Sequence, residues 1–165
     1  MDGQKTSALH KAVMRHSLSE LTQAIAQGEK VDVLDREGRT SLFYAALDGD
    51  IAIVAELIRH GANVNVQDRH LETPLHFAAR EYRPEVAELL LRNGASVDMQ
   101  DVHGNSPLWR AVFDSKGRDG VIKVLLSAGA RKSMRNKHGV SPESLAKSIA
   151  NHDVSIFLEA KSDAP

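Results

Sequence analysis

The stretch Thr73-Pro74-Leu75-His76-Phe77-Ala78 occurs in related form four more times along the chain. The other copies are Ser7-Ala8-Leu9-His10-Lys11-Ala12, Thr40-Ser41-Leu42-Phe43-Tyr44-Ala45, Ser106-Pro107-Leu108-Trp109-Arg110-Ala111 and the more divergent Ser141-Pro142-Glu143-Ser144-Leu145-Ala146. Their leading hydroxyl residues lie 33 positions apart (40 − 7, 73 − 40 and 106 − 73), and 35 apart at the last step (141 − 106). A fixed period of this length indicates a repeat protein, in which each unit packs against its neighbours.

A second series of residues keeps the same period. Gly28, Gly61 and Gly94 each lie 21 residues after the hydroxyl of their repeat, whereas Gly129 lies 23 after its own. The two extra residues of the fourth repeat therefore lie within residues 114–120, whose polar and glycine content predicts an enlarged loop between two helices.

Each repeat is predicted to contain two helices. The leading Ser or Thr can accept hydrogen bonds from first-turn amides, and Pro74, Pro107 and Pro142 follow at the position where a helix start tolerates proline. Further along each repeat, apolar residues four apart predict a second helix with one buried stripe. The stripe residues are Ile53, Val54, Leu57 and Ile58, then Val86, Ala87, Leu90 and Leu91, then Val121, Ile122, Leu125 and Leu126.

Turn signals separate the helix pairs. Gly61, Gly94 and Gly129 are typical helix stops, and a short extended excursion is predicted after the first of them at 63–66. Asp35-Arg36-Glu37-Gly38 and Asp101-Val102-His103-Gly104 predict tight turns that close each unit.

On these residues the chain resembles the ankyrin repeat family, whose pattern includes a TPLHxA helix start and a Gly-Ala loop, as in Thr73 to Ala78 and Gly94-Ala95. The resemblance covers about residues 5–159 and implies an all-α solenoid of about five helix-turn-helix repeats with β-hairpin turns. It divides a single domain, 1–165, into an N-terminal cap at about 5–35, repeats at 36–68, 69–101 and 102–136, a C-terminal cap at 137–159 and a tail at 160–165. Leu71 stands where the turn of the family carries glycine, which predicts a distorted third turn.

Composition excludes several classes of function. A chain of 165 residues, at roughly 100 to 200 per domain, predicts one domain. The absence of cysteine excludes disulfides, thiolate metal sites and cysteine nucleophiles. With 21 Lys and Arg against 22 Asp and Glu, the net charge of −1 argues against a nucleic-acid partner. The chain shows neither a signal peptide nor an apolar run that could span a bilayer, so we expect a cytoplasmic protein without a membrane partner.

Catalytic and metal-binding motifs are missing from the sequence. None of the eight histidines forms a metal-ligand spacing, and no phosphate-binding or nucleophile motif is present. We therefore predict no metal, no cofactor and no enzyme activity, with an enzyme kept as the remote alternative. The family resemblance implies that His10 and His76 are structural and hydrogen-bond the neighbouring turn. Phe43 and Trp109 replace this histidine in two repeats, so either the network is interrupted there or a partner uses these rings.

The resemblance also implies a binding surface. In the family, a concave surface is formed by the turn tips and the first helices of the repeats; we call it the front face. Its side chains are predicted to be free of packing and to bind one protein partner, because mixed charges with aromatic and arginine anchors suit protein recognition. The predicted front-face residues are Arg36, Glu37, Arg39, Tyr44, Leu47, Asp48, Arg69, His70, Glu72, Arg80, Glu81, His103, Asn105, Trp109, Phe113 and Asp114. Trp109 and Phe113 lie one helical turn apart and are predicted to form a single apolar anchor.

The last repeat suggests a more specific function. Residues 139–154 are similar to the last repeat of small bacterial ankyrin proteins encoded beside secreted toxins, which are thought to act as immunity proteins. This resemblance implies a chain that neutralises a cognate toxin by covering its active site. A generic ankyrin scaffold or adaptor remains the alternative. Polar end repeats predict a monomer in the absence of a partner.

Overall fold

The protein forms a stack of helix pairs, and its computed structural model describes residues 7–149 and Leu158. The helices in this part of the chain are α1 Ala8–Met14, α2 Leu18–Ala26, α3 Ser41–Asp48, α4 Ile51–Arg59, α5 Pro74–Arg80, α6 Pro84–Arg92, α7 Pro107–Phe113, α8 Gly120–Ser127 and α9 Pro142–Ser148. The starts of α3, α5 and α7 are 33 residues apart (74 − 41 and 107 − 74), and α9 starts 35 residues after α7 (142 − 107). The all-α repeat solenoid is therefore confirmed.

The first helices begin as the sequence predicts. The hydroxyls of Ser7, Ser106 and Ser141 each accept a hydrogen bond from a first-turn amide of the helix that follows. Proline occupies the first position of α5, α7 and α9, where a missing amide hydrogen costs nothing. Thr40 departs from this pattern, because its hydroxyl is buried before α3 without a hydrogen-bond partner.

Two layers of helices enclose the core. The first helices of successive repeats, α1, α3, α5, α7 and α9, contact one another in that order, and the second helices α2, α4, α6 and α8 form the other layer. The stripe predicted on the second helices faces inward: three of its four residues in each repeat are buried, such as Val86, Ala87 and Leu90 in α6. The fourth residue of each set is only half-buried, so Ile58, Leu91 and Leu126 mark the edge of the stripe rather than its centre.

The described residues show four of the five predicted helix pairs and the first helix of the fifth. Five helix pairs were expected, but the second helix of the fifth repeat would fall after Ile149, outside the described residues, as would the tail at 160–165. The β-hairpin turns and the extended excursion at 63–66 do not form strands, since residues 7–149 contain none. Each turn makes too few ladder hydrogen bonds to be a strand pair.

The prediction that the third turn is distorted is wrong. Leu71 adopts the left-handed backbone conformation of the glycines at the same repeat position, with φ of 58° beside 78° at Gly38 and 77° at Gly104. The third turn also keeps the hydrogen bond from the amide of Leu71 to the carbonyl of Asp68, at 2.9 Å, that Gly104 makes to Asp101. The third turn therefore keeps the geometry of the others, and the backbone of Leu71 is strained in this conformation.

The enlarged loop of the fourth repeat is confirmed. It separates the end of α7 at Phe113 from the start of α8 at Gly120, whereas Gly49 and Asp50 suffice between α3 and α4. Lys116 and Gly117 both have positive φ in this loop, at 48° and 81°. The enlarged loop begins directly after Phe113, the last residue of α7.

Candidate functional site

The turn tips at one edge of the front face are built from one repeated hydrogen-bond pattern. In the second repeat, one oxygen of Asp35 accepts the amides of Glu37 and Arg39, at 2.8 and 3.0 Å. The same two amide positions bond the side chains of Asp68, Asp101 and Asn136 in the later turns. This side-chain bonding fixes each turn locally, as expected of aspartate and asparagine.

Neighbouring turns are joined by single backbone hydrogen bonds. The amide of Arg69 donates to Glu37, that of Val102 to His70, and that of Lys137 to His103, at 3.0, 2.9 and 2.9 Å. The turn tips are consequently held at a constant spacing along the stack.

Two histidines connect the first helices to the next turn, as the resemblance implied. The Nε2 of His10 lies 3.1 Å from the carbonyl oxygen of Arg39, and the Nε2 of His76 lies 3.1 Å from that of Asn105. Burial lowers the pKa of His76 from 6.5 to about 4, so this side chain is neutral at pH 7. The structural interpretation of His10 and His76 is confirmed.

The other two residues at the histidine position behave differently from each other. The ring of Phe43 is buried and packs edge-on against Phe77, with 5.3 Å between ring centroids. Trp109 is only half-buried, and its Nε1 is enclosed without a hydrogen-bond partner. The histidine link is thus interrupted at both positions, and only Trp109 remains partly accessible to a partner.

A chain of charged groups runs beneath the front face. Arg39 pairs with the buried carboxylate of Asp68 at 2.9 Å. In the next two repeats, Arg110 bridges Asp101 at 3.2 Å and Glu72 at 3.6 Å. Because Asp68, Glu72 and Asp101 are each less than one-tenth exposed, these arginines neutralise carboxylates that would otherwise be buried without compensation.

These contacts correct the prediction that all front-face side chains are free of packing. Glu72 and Asn105 are buried, and Asn105 bonds both Asp101 and Asn136, at 3.1 and 2.8 Å. Tyr44 donates its hydroxyl hydrogen to Asp35, which leaves the ring only partly exposed. Arg39, Glu72 and Asn105 therefore join neighbouring repeats, and Tyr44 braces the turn of its own repeat. These contacts account for the four residues without a partner.

The hydrogen bonds of the turns also set carboxylate ionisation. Burial alone would raise the pKa of Asp101, but the hydrogen bonds that it accepts from Asn105 and His103 outweigh burial and lower it. The same competition, with Tyr44 as the strongest favourable contact, lowers the pKa of Asp35. Both side chains are ionised at neutral pH and contribute charge to the network beneath the front face.

The remaining predicted residues are more accessible. Those that are exposed are Arg36, Glu37, Arg69, His70, Glu81 and His103. Leu47, Asp48 and Arg80 are partly buried, and Arg80 also pairs with Glu72 and Glu81 at 3.4 and 3.3 Å.

The end of α7 carries the most exposed aromatic ring of the front face. Phe113 is 55% exposed, and its ring stacks on Trp109 with 5.2 Å between centroids and 13° between planes. The predicted pairing of these two rings is thus found. Next to them, burial raises the pKa of Asp114, whose Oδ2 is enclosed without a hydrogen-bond partner. The exposed ring of Phe113 is therefore followed along the chain by a carboxyl whose pKa burial raises, although Arg110, Arg80 and Lys116 act in the opposite direction.

Two residues of this face, Met14 and Arg110, were not among those predicted from the sequence. Met14 occupies the repeat position of Leu47, Arg80 and Phe113, and is 54% exposed at the end of α1. Arg110 was not identified as the bridge between two repeats. A comparison of the residues at one repeat position would have identified Met14. The bridge made by Arg110 could not be found in this way, because it depends on how far the side chain extends toward Glu72 and Asp101.

A groove also lies on the side of the second helices, away from the front face. It is open, runs between α6 and α8, and is lined by Leu91, Val124 and Ala128 together with charged residues such as Glu88. Across residues 7–149 and Leu158, no three His, Asp or Glu side chains are grouped to hold a metal ion. Over the same residues, no helix has the length and apolar character needed to cross a membrane.

Family comparison agrees with the architecture. Models described as ankyrin repeats (3 copies), ankyrin repeats (many copies) and ankyrin repeat match residues 1–68, 57–111 and 103–137. Because the matches together run from residue 1 to 137, the chain belongs to the ankyrin repeat family. Repeats of this family mediate protein–protein interaction and are in general not enzymes. A search of proteins of curated function finds no match to this chain.

Proposed function

We propose that this chain binds one protein partner on its front face and that the Trp109–Phe113 stack is the main anchor. The observation that carries the proposal is the exposure of Phe113 at the end of α7, where its ring stacks on the half-buried ring of Trp109. Binding energy in protein interfaces concentrates in aromatic and arginine side chains that are already well positioned. The fixed turn tips, with Arg36, Arg69 and His103 exposed, supply a polar rim.

The proposed partner is a toxin whose active site or substrate path the chain covers. This finer proposal is supported only by the resemblance of residues 139–154 to the last repeat of immunity-type proteins, and residues 150–154 lie outside the described part of the chain. A scaffold or adaptor that binds without inhibiting is the alternative. A cytoplasmic location, a monomeric free state and the absence of catalysis remain predictions.

The test is to co-express the chain with the product of the neighbouring gene and to measure binding by calorimetry. Phe113→Ala should weaken binding by about 2 kcal/mol, or about 30-fold, with the helical circular dichroism signal unchanged. Met14→Ala is the matched comparison within the front face, because Met14 has the same repeat position and nearly the same exposure, 54% against 55%, and we expect it to weaken binding less than Phe113→Ala. Glu88→Ala tests the groove between the second helices.

Each outcome has one interpretation. A larger loss with Phe113→Ala than with Met14→Ala, and none with Glu88→Ala, supports the Trp109–Phe113 anchor. Equal losses from Phe113→Ala and Glu88→Ala would contradict the front-face assignment, and equal losses from Phe113→Ala and Met14→Ala would contradict the anchor. A neighbouring gene product that is harmless and unbound would refute the toxin proposal. The anchor would then be tested by comparing parent and Phe113→Ala for affinity capture from native cells.

A further inference from the structure

The tips of the last three turns carry a row of histidines. His70, His103 and His138 occupy one repeat position, 33 and 35 residues apart (103 − 70 and 138 − 103), and all three side chains are exposed. The carbonyl of His70 accepts the amide of Val102, and that of His103 accepts the amide of Lys137, both at 2.9 Å. The backbone links between these turns therefore begin at two of the histidines, which fixes the row along the edge of the front face.

Basic side chains flank this row. Arg69 and Lys137 each precede a histidine of the row, and Arg135 lies two residues before Lys137. All three are exposed, and over the described residues none of them pairs with a carboxylate. We call the six residues of this surface the basic edge. They are Arg69, His70, His103, Arg135, Lys137 and His138.

The carboxylates of these turns lie beneath the surface. Asp68 and Asp101 are buried and pair with Arg39 and Arg110, at 2.9 and 3.2 Å, and Glu72 is buried as well. The exposed charged side chains within residues 68–72, 101–105 and 136–140 are consequently all basic.

The second turn does not continue the basic edge. Glu37 occupies the repeat position of His70 (70 − 37 = 33), and Arg36 occupies that of Arg69 (69 − 36 = 33). Both are exposed, so a negative and a positive side chain lie next to each other in the sequence of this turn. The excess of exposed basic groups is thus confined to the last three turns.

We infer that the protein partner lays an extended acidic segment, rich in Asp or Glu, along the basic edge. The inference rests on the proposed function and specifies a second contact of the same partner, separate from the ring of Phe113. Charge complementarity selects the chemistry of the segment, because Arg and Lys are charged at neutral pH and an imidazole N–H can donate to a carboxylate. Nucleic acid fits less well, since the chain has a net charge of −1 and the last three turns contain no Phe, Tyr or Trp on which a base could stack.

The direct probe is blocked hexaglutamate, compared with its hexaglutamine twin and with an oligothymidylate of equal charge. The imidazole NMR signals of His70, His103 and His138 report occupancy of the basic edge. At low salt we expect weak, saturable binding of hexaglutamate that declines as salt is added. Hexaglutamine should show no saturable binding, and the oligothymidylate should bind at least about threefold more weakly than hexaglutamate.

Variants at one repeat position locate the contact. Arg69→Gln and Lys137→Gln should each weaken hexaglutamate about threefold, and the double variant about tenfold. Arg36→Gln is the matched control, because it removes the same charge at the same repeat position but beside Glu37, and it should leave the affinity unchanged. Glu37→His extends the row of histidines into the second turn and should strengthen binding about twofold.

The histidines should make binding depend on pH. Imidazole ordinarily gains its proton near pH 6.5 and glutamate only near 4.3, so hexaglutamate should bind about fivefold more tightly at about pH 6 than at about pH 7.5. The triple variant His70→Gln, His103→Gln, His138→Gln should lose most of this rise. His76, beneath the turns, has a pKa of about 4 and stays neutral across this range. The other titratable or charged side chains of the turns and of the first helices next to them are His10, Asp35, Arg36, Glu37, Arg39, Tyr44, Asp68, Arg69, Glu72, Arg80, Asp101, Arg110, Arg135, Lys137 and Glu143.

Four results would overturn the inference. They are no saturable binding of hexaglutamate, binding of hexaglutamine or oligothymidylate that is as tight, an unchanged affinity in the folded Arg69→Gln, Lys137→Gln double variant, and a full pH dependence in the folded triple histidine variant.

The inference and the proposed function fail separately. In the complex with the protein partner, the double variant should weaken binding about tenfold. A partner weakened by Phe113→Ala but not by the double variant would refute the acidic segment and keep the anchor. The opposite result would refute the anchor and keep the acidic segment.

Discussion

The turns offer a sharp test of the repeat structure, because glycines at one repeat position share a backbone conformation but differ in what surrounds them. Gly104 and Gly139 have φ of 77° and 75°. A Cβ added at Gly104 would lie 2.9 Å from the amide nitrogen of Lys137 in the next turn, whereas at Gly139 it would meet nothing within 4 Å. Gly38 is intermediate, at 3.4 Å from the amide nitrogen of Arg69.

The magnitudes follow from these distances. Gly139→Ala should cost about 1 kcal/mol of unfolding free energy, from backbone strain alone. Gly104→Ala adds the displacement of the next turn and its hydrogen bond from Lys137 to His103, so we expect about 2 to 3 kcal/mol. Gly38→Ala should fall between them.

At Leu71 the order of stability of glycine and alanine variants provides a further test. Leu71 already has φ of 58°, and alanine would keep that strain while glycine would remove it. Leu71→Gly should therefore be more stable than Leu71→Ala by about 1 kcal/mol, opposite to the usual order of these residues in regular structure.

Urea unfolding followed by circular dichroism gives the free energies, provided that the slopes with denaturant stay equal. Equal losses for Gly104→Ala and Gly139→Ala would show that contact between turns does not limit the position. A Leu71→Ala variant more stable than Leu71→Gly would refute the strained conformation.

The remaining predictions concern the core and the network. Leu90→Ala should lower the unfolding free energy by about 2 to 5 kcal/mol, because the side chain is fully buried, and an unchanged melting temperature would refute the register of the second helices. The pKa of His76 is about 4 in the folded chain and 6.5 in the unfolded chain, so the unfolded chain binds the proton first as the pH falls. The free energy of unfolding should therefore decrease as the pH drops from about 6.5 toward 4. Urea unfolding across this range should find a smaller decrease with pH in His76→Phe. Arg110→Met leaves Glu72 and Asp101 buried without their shared arginine. It should lower the free energy of unfolding at pH 7 by about 3 kcal/mol in the same urea assay. An unchanged free energy would show that the bridge contributes nothing to stability.

Features set within one repeat could be predicted from the sequence. The helix starts, the buried stripe and the stacked rings of Trp109 and Phe113 depend on spacing along a single segment. The roles of His10 and His76 came instead from the family pattern, and the structure confirms them.

Features set between repeats could not be predicted in the same way. Glu72 looks like a free surface residue in the sequence, yet arginines from α5 and α7 converge on it and bury it. Leu71 breaks the glycine pattern without changing the turn, because the hydrogen bonds around Asp68 hold the backbone in place. The isolated oxygen of Asp114 likewise depends on burial at the end of α7, which spacing does not reveal.

The most direct test of partner binding through the front face is amide hydrogen exchange of the chain alone and in complex with its protein partner. If the partner binds the front face, exchange should slow at the end of α7, around Phe113, and at the turn tips around residues 69–70 and 102–103. Helices α6 and α8, which flank the groove on the other side, should exchange at unchanged rates. Protection confined to α6 and α8, with α7 and the turns unaffected, would contradict the account.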